Sequence, residues 1–545
     1  RISSTPVNIK TDDSGNVFML GMMNDTVDFD PGPGVYTLDT TQGKMFIVKL
    51  DSAGNFRWAK NFGGDNTSGY GELCTDKNGN VICVCFAERS VDFDPGPGVF
   101  IPAERSTVIL KFDNNGAVQW VKAFEKSAPT AGVIFGKGLG ADVHGNIYIH
   151  GFVSGDGDFD PGPALFTLDC STGPGGSFLC KLDKDGQLVW AKLLHCATGW
   201  AWWGAYSSGT LALGRRNDIY VTGSFSGSAD FDPGPGVYTL SAGSSTSMEG
   251  YVTKFDQDGN FTWAKQISGV AIYYPCIALD PGDNVYLSGT YGLAMDADPG
   301  PYAYLLETKG TDSRNGFLLK LDSAGAFRWA KGYYWKGSID YTNHIDIDRN
   351  GYLYLRRFLR DSSFLYNTAK QQFITAADKD GSSVLLKLSI AGTLLGSKTL
   401  AAASKKSNVS ASYVDRYSNI YAGGSFYDTV LLDPYAAAKT ITTKGANAVF
   451  LMKLAQSVPV SLHSFSTVEN CSVYPNPTKG PLTLLIDGFE KEATTEVFSI
   501  DGRILLSQTT TQSRVALDIG HYPAGMYLVR VSDAQRKTYI KVLKQ

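Results

Sequence analysis

One short phrase returns along this chain and limits what the chain can fold into. VDFDPGPG begins at Val27 and at Val91, GDFDPGPA at Gly157, ADFDPGPG at Ala229 and the diverged MDADPGPY at Met295. These copies start 64, 66, 72 and 66 residues apart, and a remnant, LLDPYA, follows about two periods later. A phrase that returns at such a period indicates an array of structural repeats.

Two further phrases share the period. The first is D-x-x-G-N followed by an alternating apolar run, as in DVHGNIYIHG from Asp142, and it occurs seven times. The second ends in W-A-K, as in KLDSAGNFRWAK up to Lys60, and it occurs six times, with a faded last copy. Each phrase joins two alternating apolar stretches through a turn of Asp, Asn and Gly. This pattern is typical of a β-hairpin.

Two hairpins per unit predict four strands per unit and an all-β fold. We therefore expect residues 1–455 to form a seven-bladed β-propeller, with four-stranded blades of about 67 residues. A stacked β-solenoid is the alternative, although its usual coils are much shorter. Because the second phrase has only six copies, blade seven lacks an outer strand. Either the natural chain extends upstream of Arg1 or blade seven has three strands.

The pattern changes after the array. Residues 456–470 are predicted to be a linker, and residues 471–545 to form about six short strands in a small antiparallel β-sandwich. Three motifs follow one another there: YPNPTKG, IDGR and YPAGMY. The residues that carry them, with two lysines near the end, are Tyr474, Pro475, Asn476, Pro477, Gly480, Asp501, Gly502, Pro523, Gly525, Tyr527, Lys541 and Lys544. This set resembles the type IX (Por) secretion C-terminal sorting domain of Bacteroidota.

The resemblance implies export to the cell surface. It implies passage to the periplasm and then through the type IX outer-membrane translocon, whose shuttle and attachment components would be partners of residues 471–545. Such a domain is generally cleaved off. The chain starts RISSTPVN without the features of a signal peptide, so we expect that this peptide was removed or that the start is truncated. The array resembles the SBBP-type propeller repeats of secreted proteins from the same bacteria, which implies a fold and a location but no reaction.

Charge and motifs exclude several function classes. The net charge of −4 gives no electrostatic case for nucleic acid, and no apolar run is long enough for a transmembrane helix. The sequence holds no G-x-S-x-G, H-E-x-x-H or P-loop motif, and its six histidines show no metal spacing. Enzymes that hydrolyse polysaccharides use a pair of Asp or Glu residues, and acidic pairs are plentiful here. The sequence therefore leaves open the possibility of an enzyme that acts on polysaccharide.

The repeated phrase DFDPGPG has two interpretations. In the structural one, Pro and Gly set a fixed turn and the Asp side chains cap backbone N–H groups. In the functional one, two carboxylates two residues apart bind a hard cation such as Ca²⁺. The candidate calcium ligands are Asp28, Asp30, Asp92, Asp94, Asp158, Asp160, Asp230, Asp232, Asp296 and Asp298. The EF-hand-like strings such as DKDGQ lack a closing Glu and are interpreted as hairpin turns.

Aromatic residues concentrate in the crossovers between blades. They are Trp200, Trp202, Trp203, Tyr206, Tyr273, Tyr274, Tyr333, Tyr334 and Trp335. Exposed rings would stack on sugars or anchor a protein, whereas buried rings would cap the core between blades. Among the eight cysteines, Cys170 and Cys180 flank a short loop and are the best disulfide candidates.

These features predict a secreted cell-surface protein that acts in binding or adhesion. We expect the crossover face of the propeller to bind a glycan or a protein partner. The alternatives are a propeller enzyme that acts on extracellular polysaccharide and a purely structural component of the surface or of gliding.

Overall fold

A computed structural model gives the structure of the chain. It describes residues 4–41, 43–63, 71–88, 91–103, 105–126, 132–170, 175–196, 210–243, 248–269, 271–307, 314–335, 344–359, 362–367, 370–375, 382–402, 408–432, 439–454, 471–486, 493–499, 504–532 and 537–545. The chain divides into two compact units, Arg1–Ser461 and Leu462–Gln545. The secondary structure described in both is β-strand, which confirms the all-β prediction. The predicted linker 456–470 lies outside the described residues.

The first part of the chain holds seven successive repeat units, numbered here from the N-terminus. Unit one contains β1 (Ser4–Thr11), β2 (Val17–Met23), β3 (Val27–Asp28), β4 (Thr37–Leu38), β5 (Met45–Leu50) and β6 (Phe56–Phe62). Unit two contains β7 (Gly71–Thr75), β8 (Val81–Ala87), β9 (Ser106–Phe112) and β10 (Val118–Lys126). Unit three contains β11 (Val133–Ala141), β12 (Ile147–Asp158), β13 (Thr167–Cys170), β14 (Gly176–Leu182) and β15 (Leu188–Cys196). Unit four contains β16 (Leu211–Leu213), β17 (Ile219–Phe225), β18 (Ser228–Asp230), β19 (Thr239–Ser241), β20 (Glu249–Phe255) and β21 (Phe261–Gly269).

The last three units continue the same order. Unit five contains β22 (Tyr273–Leu279), β23 (Val285–Gly292), β24 (Ala294–Asp296), β25 (Leu305–Glu307), β26 (Arg314–Leu321) and β27 (Phe327–Trp335). Unit six contains β28 (His344–Ile347), β29 (Leu353–Leu359), β30 (Ser362–Asn367), β31 (Lys370–Thr375), β32 (Ser382–Leu388) and β33 (Leu394–Ala402). Unit seven contains β34 (Asn408–Val414), β35 (Ile420–Leu432) and β36 (Lys439–Leu454).

Each unit is built on a meander of antiparallel strands. In unit one the order is β1-β2-β5-β6, and units two to six repeat this four-stranded order. The described part of unit seven has the order β34-β35-β36, with three strands. In most units the chain between the second and third strands of the meander forms a hairpin arm. The arm carries the DFDPGPG phrase.

The D-x-x-G-N turns are held by their aspartate. Oδ1 of Asp142 accepts the backbone N–H groups of His144 and Asn146, both at 2.9 Å. Its Oδ2 accepts the Asn146 side-chain amide at 2.8 Å and the Tyr148 hydroxyl at 3.2 Å. Gly145 supplies the positive φ of 84° that the turn requires. One buried carboxylate thus closes the hairpin and ties it to the strand that follows.

The tryptophan of W-A-K packs on the hairpin turn of the next unit. A Cβ added to Gly116 of unit two would lie 2.6 Å from the Trp58 ring of unit one. Trp58 Nε1 also donates to the Asn114 carbonyl at 3.1 Å. The equivalent pairs are Trp120 with Gly186, Trp190 with Gly259, Trp263 with Gly325, and Trp329 with Gly392. Only glycine leaves room for the indole, so this contact joins each of units one to five to the unit that follows it.

Unit seven contacts unit one through a buried cluster and a lysine–carbonyl hydrogen bond, as consecutive units do. A buried cluster lies between every two consecutive units. Another joins Ile9 of unit one to Ala411 and Tyr421 of unit seven. Lys453 Nζ of unit seven donates to the Ser52 carbonyl of unit one at 3.1 Å, as Lys49 of unit one does to Asn114 of unit two at 2.9 Å.

The C-terminal unit is a pair of antiparallel sheets around one core. Its strands are β37 (Cys471–Tyr474), β38 (Pro481–Ile486), β39 (Ala493–Phe498), β40 (Ile504–Thr510), β41 (Arg514–Asp518), β42 (Gly525–Ser532) and β43 (Lys537–Lys544). The sheets have the orders β37-β38-β41 and β40-β39-β42-β43. Both sheets contribute to one buried cluster. It contains Leu484 and Leu517 from the first sheet and Val497, Val529 and Val542 from the second.

Candidate functional site

The DFDPGPG loops share one internal hydrogen-bond pattern. In unit two, Asp92 Oδ1 accepts the backbone N–H groups of Asp94 and Phe100, both at 2.9 Å. Asp94 Oδ1 accepts the Gly96 N–H at 2.7 Å. The first aspartate of the other four loops is bonded in the same way at Asp28, Asp158, Asp230 and Asp296. The second aspartate of those loops is bonded in the same way at Asp30, Asp160, Asp232 and Asp298.

This pattern uses one oxygen of each candidate calcium ligand to cap the loop's own backbone. Among the residues that the structure describes, no three or more His, Cys, Asp or Glu side chains group together in a way that suits a metal ion. The geometry corresponds to the structural interpretation of the phrase. Calcium binding at these loops stays a prediction, with the second carboxylate oxygens as its available ligands.

Several arms also attach their unit to the preceding one. At the end of β10 of unit two, Glu125 pairs with Asp158 in the arm of unit three. At the end of β21 of unit four, Ser268 pairs with Asp296 in the arm of unit five. The Gly63 N–H of unit one likewise donates to the Asp92 carbonyl at 3.0 Å. The repeated phrase therefore builds contacts between units.

The tip of each arm is apolar and exposed. The tip residues are Val35, Val99, Leu165, Val237 and Tyr302, with 70–78% of each exposed. Val35, Val99, Leu165 and Val237 stand at the same loop position, and Tyr302 stands one residue earlier in its loop. Large exposed apolar residues that recur in one kind of loop are unusual on a protein surface, where single ones are scattered. The five arms thus expose an apolar side chain at the tip.

A cavity of about 610 Å³ lies beside the arm of unit two. Its lining residues are Lys60, Asp94, Pro95, Gly96, Pro97, Gly98, Val99, Phe100, Gly116, Ala117, Val118, Gln119, Trp120 and Val121. In unit one, the Tyr36 ring packs on Phe56 with 4.7 Å between ring centres, and its hydroxyl donates to the Ala59 carbonyl at 3.3 Å. Unit two has Phe100 and the smaller Val118 at these two positions, and both line the cavity.

The cavity lining combines aromatic and polar groups. Phe100 and Trp120 supply ring surface, while Asp94, Gln119 and Lys60 supply an acceptor, an amide and a cation. Sequence reasoning missed this site because its lining residues come from segments that are far apart in the sequence. The available sequence signal is that Phe100 and Val118 differ from Tyr36 and Phe56 at the same positions of unit one.

The crossover aromatics lie only partly within the described residues. Trp200, Trp202, Trp203 and Tyr206 fall outside them, and the side chains of Tyr274, Tyr334 and Trp335 are not described. Tyr333 is buried in the cluster between units five and six, with the Arg357 guanidinium 5.5 Å from its ring centre. Tyr273 is half-buried. The burial of Tyr333 agrees with the interpretation in which the crossover aromatics cap the core between units.

The predicted disulfide between Cys170 and Cys180 was wrong. Cys180 is a free, buried thiol on β14, whereas Cys170 is disulfide-bonded. Cys180 lies in the core between units two and three, which explains why it behaves as a small apolar residue. Cys74, Cys83, Cys85 and Cys276 are also free thiols.

In the C-terminal unit, residues of the YPNPTKG motif and the chain just before the YPAGMY motif contact the last strand. The Leu543 N–H donates to Asn476 Oδ1 at 2.9 Å, and Lys544 Nζ donates to the Gly520 carbonyl at 2.8 Å. The Tyr527 hydroxyl donates to the Pro523 carbonyl at 2.5 Å. Gly480 and Gly525 both have positive φ. Of the remaining residues in this set, Asp501 and Gly502 lie outside the described residues, and the side chains of Tyr474 and Lys541 are not described.

Residues 472–545 match the family model of the secretion system C-terminal sorting domain. A search of curated proteins finds no match. In the part of the chain that the structure describes, no helix is long and apolar enough to cross a membrane. The sorting domain marks the chain as a secreted protein that the type IX system delivers to the cell surface.

Several solved structures are similar at low identity. A Dyadobacter fermentans protein of unknown function has 8% identity and a TM-score of 0.31, over 83% of this chain and 95% of that one. PorZ, a surface component of the type IX secretion system of Porphyromonas gingivalis, has 10% identity and a TM-score of 0.15, over 100% and 99%. The polysaccharide lyase Uly1 has 11% identity and a TM-score of 0.27, over 94% and 89%.

Proposed function

We propose that this secreted protein binds a surface or extracellular glycan in the cavity beside the arm of unit two. The observation that carries the proposal is the lining of that cavity, where the rings of Phe100 and Trp120 lie near Asp94, Gln119 and Lys60. Sugar rings pack their C–H faces on aromatic side chains and hydrogen-bond through their hydroxyls, so they fit a site with both kinds of group. Lys60 favours a sugar that carries a carboxylate or a sulfate.

We further propose that the seven units form a closed seven-bladed propeller of the SBBP type. The support is that Lys453 reaches Ser52 by the same bond that joins consecutive units, and that a buried cluster spans units seven and one. A closed ring would hold the arms as a rigid circle of loops. Rigid scaffolds with exposed loops are common in binding proteins.

The test is a glycan array probed with the full chain and with two matched variants. Gln119→Ala combined with Lys60→Met removes polar groups from the cavity, and we expect it to lose the signal of the native chain. Lys122→Met changes the same W-A-K position in unit two, outside the cavity lining, and should keep the signal.

Two outcomes would contradict the binding role. Equal array signals from the native chain and from the double variant Gln119→Ala, Lys60→Met would exclude this cavity as the glycan site. Reducing ends or unsaturated products released from a bound polysaccharide would favour the enzymatic alternative over a binding protein.

A further inference from the structure

We infer that the glycan site of unit two continues into unit three, so that its ligand is a chain of several acidic sugars rather than one terminal sugar. The inference rests on the proposed function, because it extends the cavity beside the arm of unit two. It adds a second place for a sugar ring, which is formed by the arm and the second hairpin turn of unit three.

Three arms tie their aromatic ring to their own unit. Eight residues after its first aspartate, each arm carries an aromatic residue whose backbone N–H donates to that aspartate. In units one, four and five this residue is a tyrosine: Tyr36, Tyr238 and Tyr304. Each tyrosine ring packs on a phenylalanine of the outer strand, with ring centres 4.7, 5.1 and 5.0 Å apart. Each hydroxyl also donates to a carbonyl of that strand, at 3.3, 3.2 and 3.4 Å.

The neighbouring units two and three differ from this pattern in the same way. Phe100 and Phe166 take the place of the tyrosine and have no hydroxyl to donate. The residues that correspond to the phenylalanine partners are Val118 and Leu188. Phe100 and Val118 line the cavity of unit two, and Phe166 is 40% exposed. A partly exposed ring without a hydroxyl bond to its own strand is suited to pack on the C–H face of a sugar.

Polar groups accompany Phe166, as they do the ring in the cavity of unit two. A Cβ added to Gly162 of the arm would lie 3.6 Å from Oε1 of Gln187, whose exposed side chain follows the second hairpin turn. Asp160 corresponds to Asp94 of the cavity, and its Oδ1 accepts the Gly162 N–H at 2.8 Å. Unit three thus brings a ring, an amide and a carboxylate together, which are groups that bind sugars.

Trp120 joins the two places. It lines the cavity of unit two. Its ring also lies 3.2 Å from the Cβ that a side chain would place at Gly186, in the second hairpin turn of unit three. Trp120 and Leu188 pack against the same buried cluster. The two places therefore share a border, and Gln187 stands next to the glycine that Trp120 covers.

This arrangement indicates the size and the charge of the ligand. One sugar packs on one aromatic ring, so a ligand that contacts both Phe100 and Phe166 must be a chain that crosses the border between the units. Lys60 at the unit-two end favours carboxylate or sulfate groups. The ligand class we assign is therefore an acidic polysaccharide.

The test is calorimetric titration of the full chain with disaccharides and octasaccharides from alginate, which carries carboxylates, and from carrageenan, which carries sulfates. We expect the octasaccharide of at least one polymer to bind at least about tenfold more tightly than its disaccharide, because the second contact is made within the same ligand. Phe166→Ala should remove this difference and leave the disaccharide affinity unchanged. Gln187→Ala should reduce the difference, and its exposed position keeps the test valid if Phe166→Ala fails to fold.

The matched control is Tyr238→Ala, which removes a ring of similar exposure, 38%, from the same arm position of unit four. It should keep the native affinity for both lengths. Equal affinities of the native chain for the two lengths, or a difference that survives the unit-three variants, would overturn the inference and leave the site of unit two in place. If no fragment of either polymer binds, the proposed site for acidic sugars in unit two fails, and the inference fails with it.

Discussion

The hydroxyl of Tyr286 donates a hydrogen bond of 3.1 Å to Oδ2 of Asp280, inside the core of unit five. Tyr148, Tyr354 and Tyr421 make the same bond to the aspartate six residues earlier. The bond ties the first hairpin turn of a unit to its second strand. It recurs because the D-x-x-G-N phrase ends in an alternating run that places tyrosine on the buried face.

Removing this hydroxyl should destabilise the array. We expect Tyr286→Phe to cost about 1.5 kcal/mol, since a hydrogen bond to a buried carboxylate is lost while the ring still packs. Thermal unfolding followed by circular dichroism measures the loss. Tyr302→Phe is the control, because Tyr302 is 78% exposed and should leave the midpoint unchanged. Equal midpoints for Tyr286→Phe and the native chain would contradict this role of the bond.

The turn aspartates predict loss of stability in acid. Burial would raise the pKa of Asp280, but hydrogen bonds from Asn284 and the Gly282 N–H outweigh it and hold the pKa below its ordinary value of 3.8. The pKa of Asp142 is lowered by the same balance. A carboxyl with a lowered native pKa stabilises the fold above its unfolded pKa, and this contribution is lost as the pH falls through the native pKa.

The unfolding midpoint should therefore stay level between about pH 7 and pH 5 and fall below about pH 4. Asp280→Asn should show a lower midpoint at neutral pH and a smaller decrease in acid, because one titrating group is gone. A native chain whose midpoint rises as the pH drops below 4 would show that the aspartates do not act in this way.

The repeated hairpin turns could be predicted from the sequence because they depend on contacts between residues that are close along the chain. Asp142, Gly145 and Asn146 need only each other to form their turn, and alternation alone places Tyr148 on the buried face. The burial of Cys180 as a free thiol could not be predicted in this way. The residues that pack around it include some from the neighbouring unit, and the spacing of cysteines along the chain carries no information about that packing.

The cavity of unit two shows the same limit. Its lining residues come from the arm and the second hairpin of unit two and from Lys60 of unit one, and these segments are far apart in the sequence. The strand pairing of Glu125 with Asp158 could not be predicted from the sequence either, because the arm and the outer strand belong to different units. The candidate site thus depends on contacts between segments that are distant in the sequence, most of them within unit two.

Closure of the array can be tested at the contact between units seven and one. Ala411 is 3% exposed and shares a buried cluster with Ile9. Ala411→Glu would place a carboxylate there without a partner, and we expect a loss of about 3 kcal/mol or more in the free energy of unfolding. Val143→Glu, at a side chain that is 60% exposed, is the control and should be tolerated. If both variants unfold at the native midpoint in denaturant titrations, the contact does not form.

The two interpretations of the DFDPGPG loop can be separated with Asp92. Asparagine keeps an oxygen that can accept the Asp94 and Phe100 N–H groups, but it removes the charge that calcium needs. We expect Asp92→Asn to unfold within about 2 °C of the native midpoint with and without calcium, and Asp92→Ala to unfold lower. Differential scanning calorimetry in chelator and in calcium decides this. A calcium-dependent rise of the native midpoint that Asp92→Asn abolishes would favour the metal site.

The free thiols should be inert in the folded protein. Burial raises the pKa of Cys74 and of Cys276 to about 12, and it raises the pKa of Cys83, Cys85 and Cys180 as well. The thiolate is the reactive form, so none of the five should react with a thiol reagent such as Ellman's reagent at pH 8. After unfolding in guanidinium, at least these five should react. Cys180 modified in the native protein, detected by mass spectrometry of its peptide, would show that the core between units two and three opens.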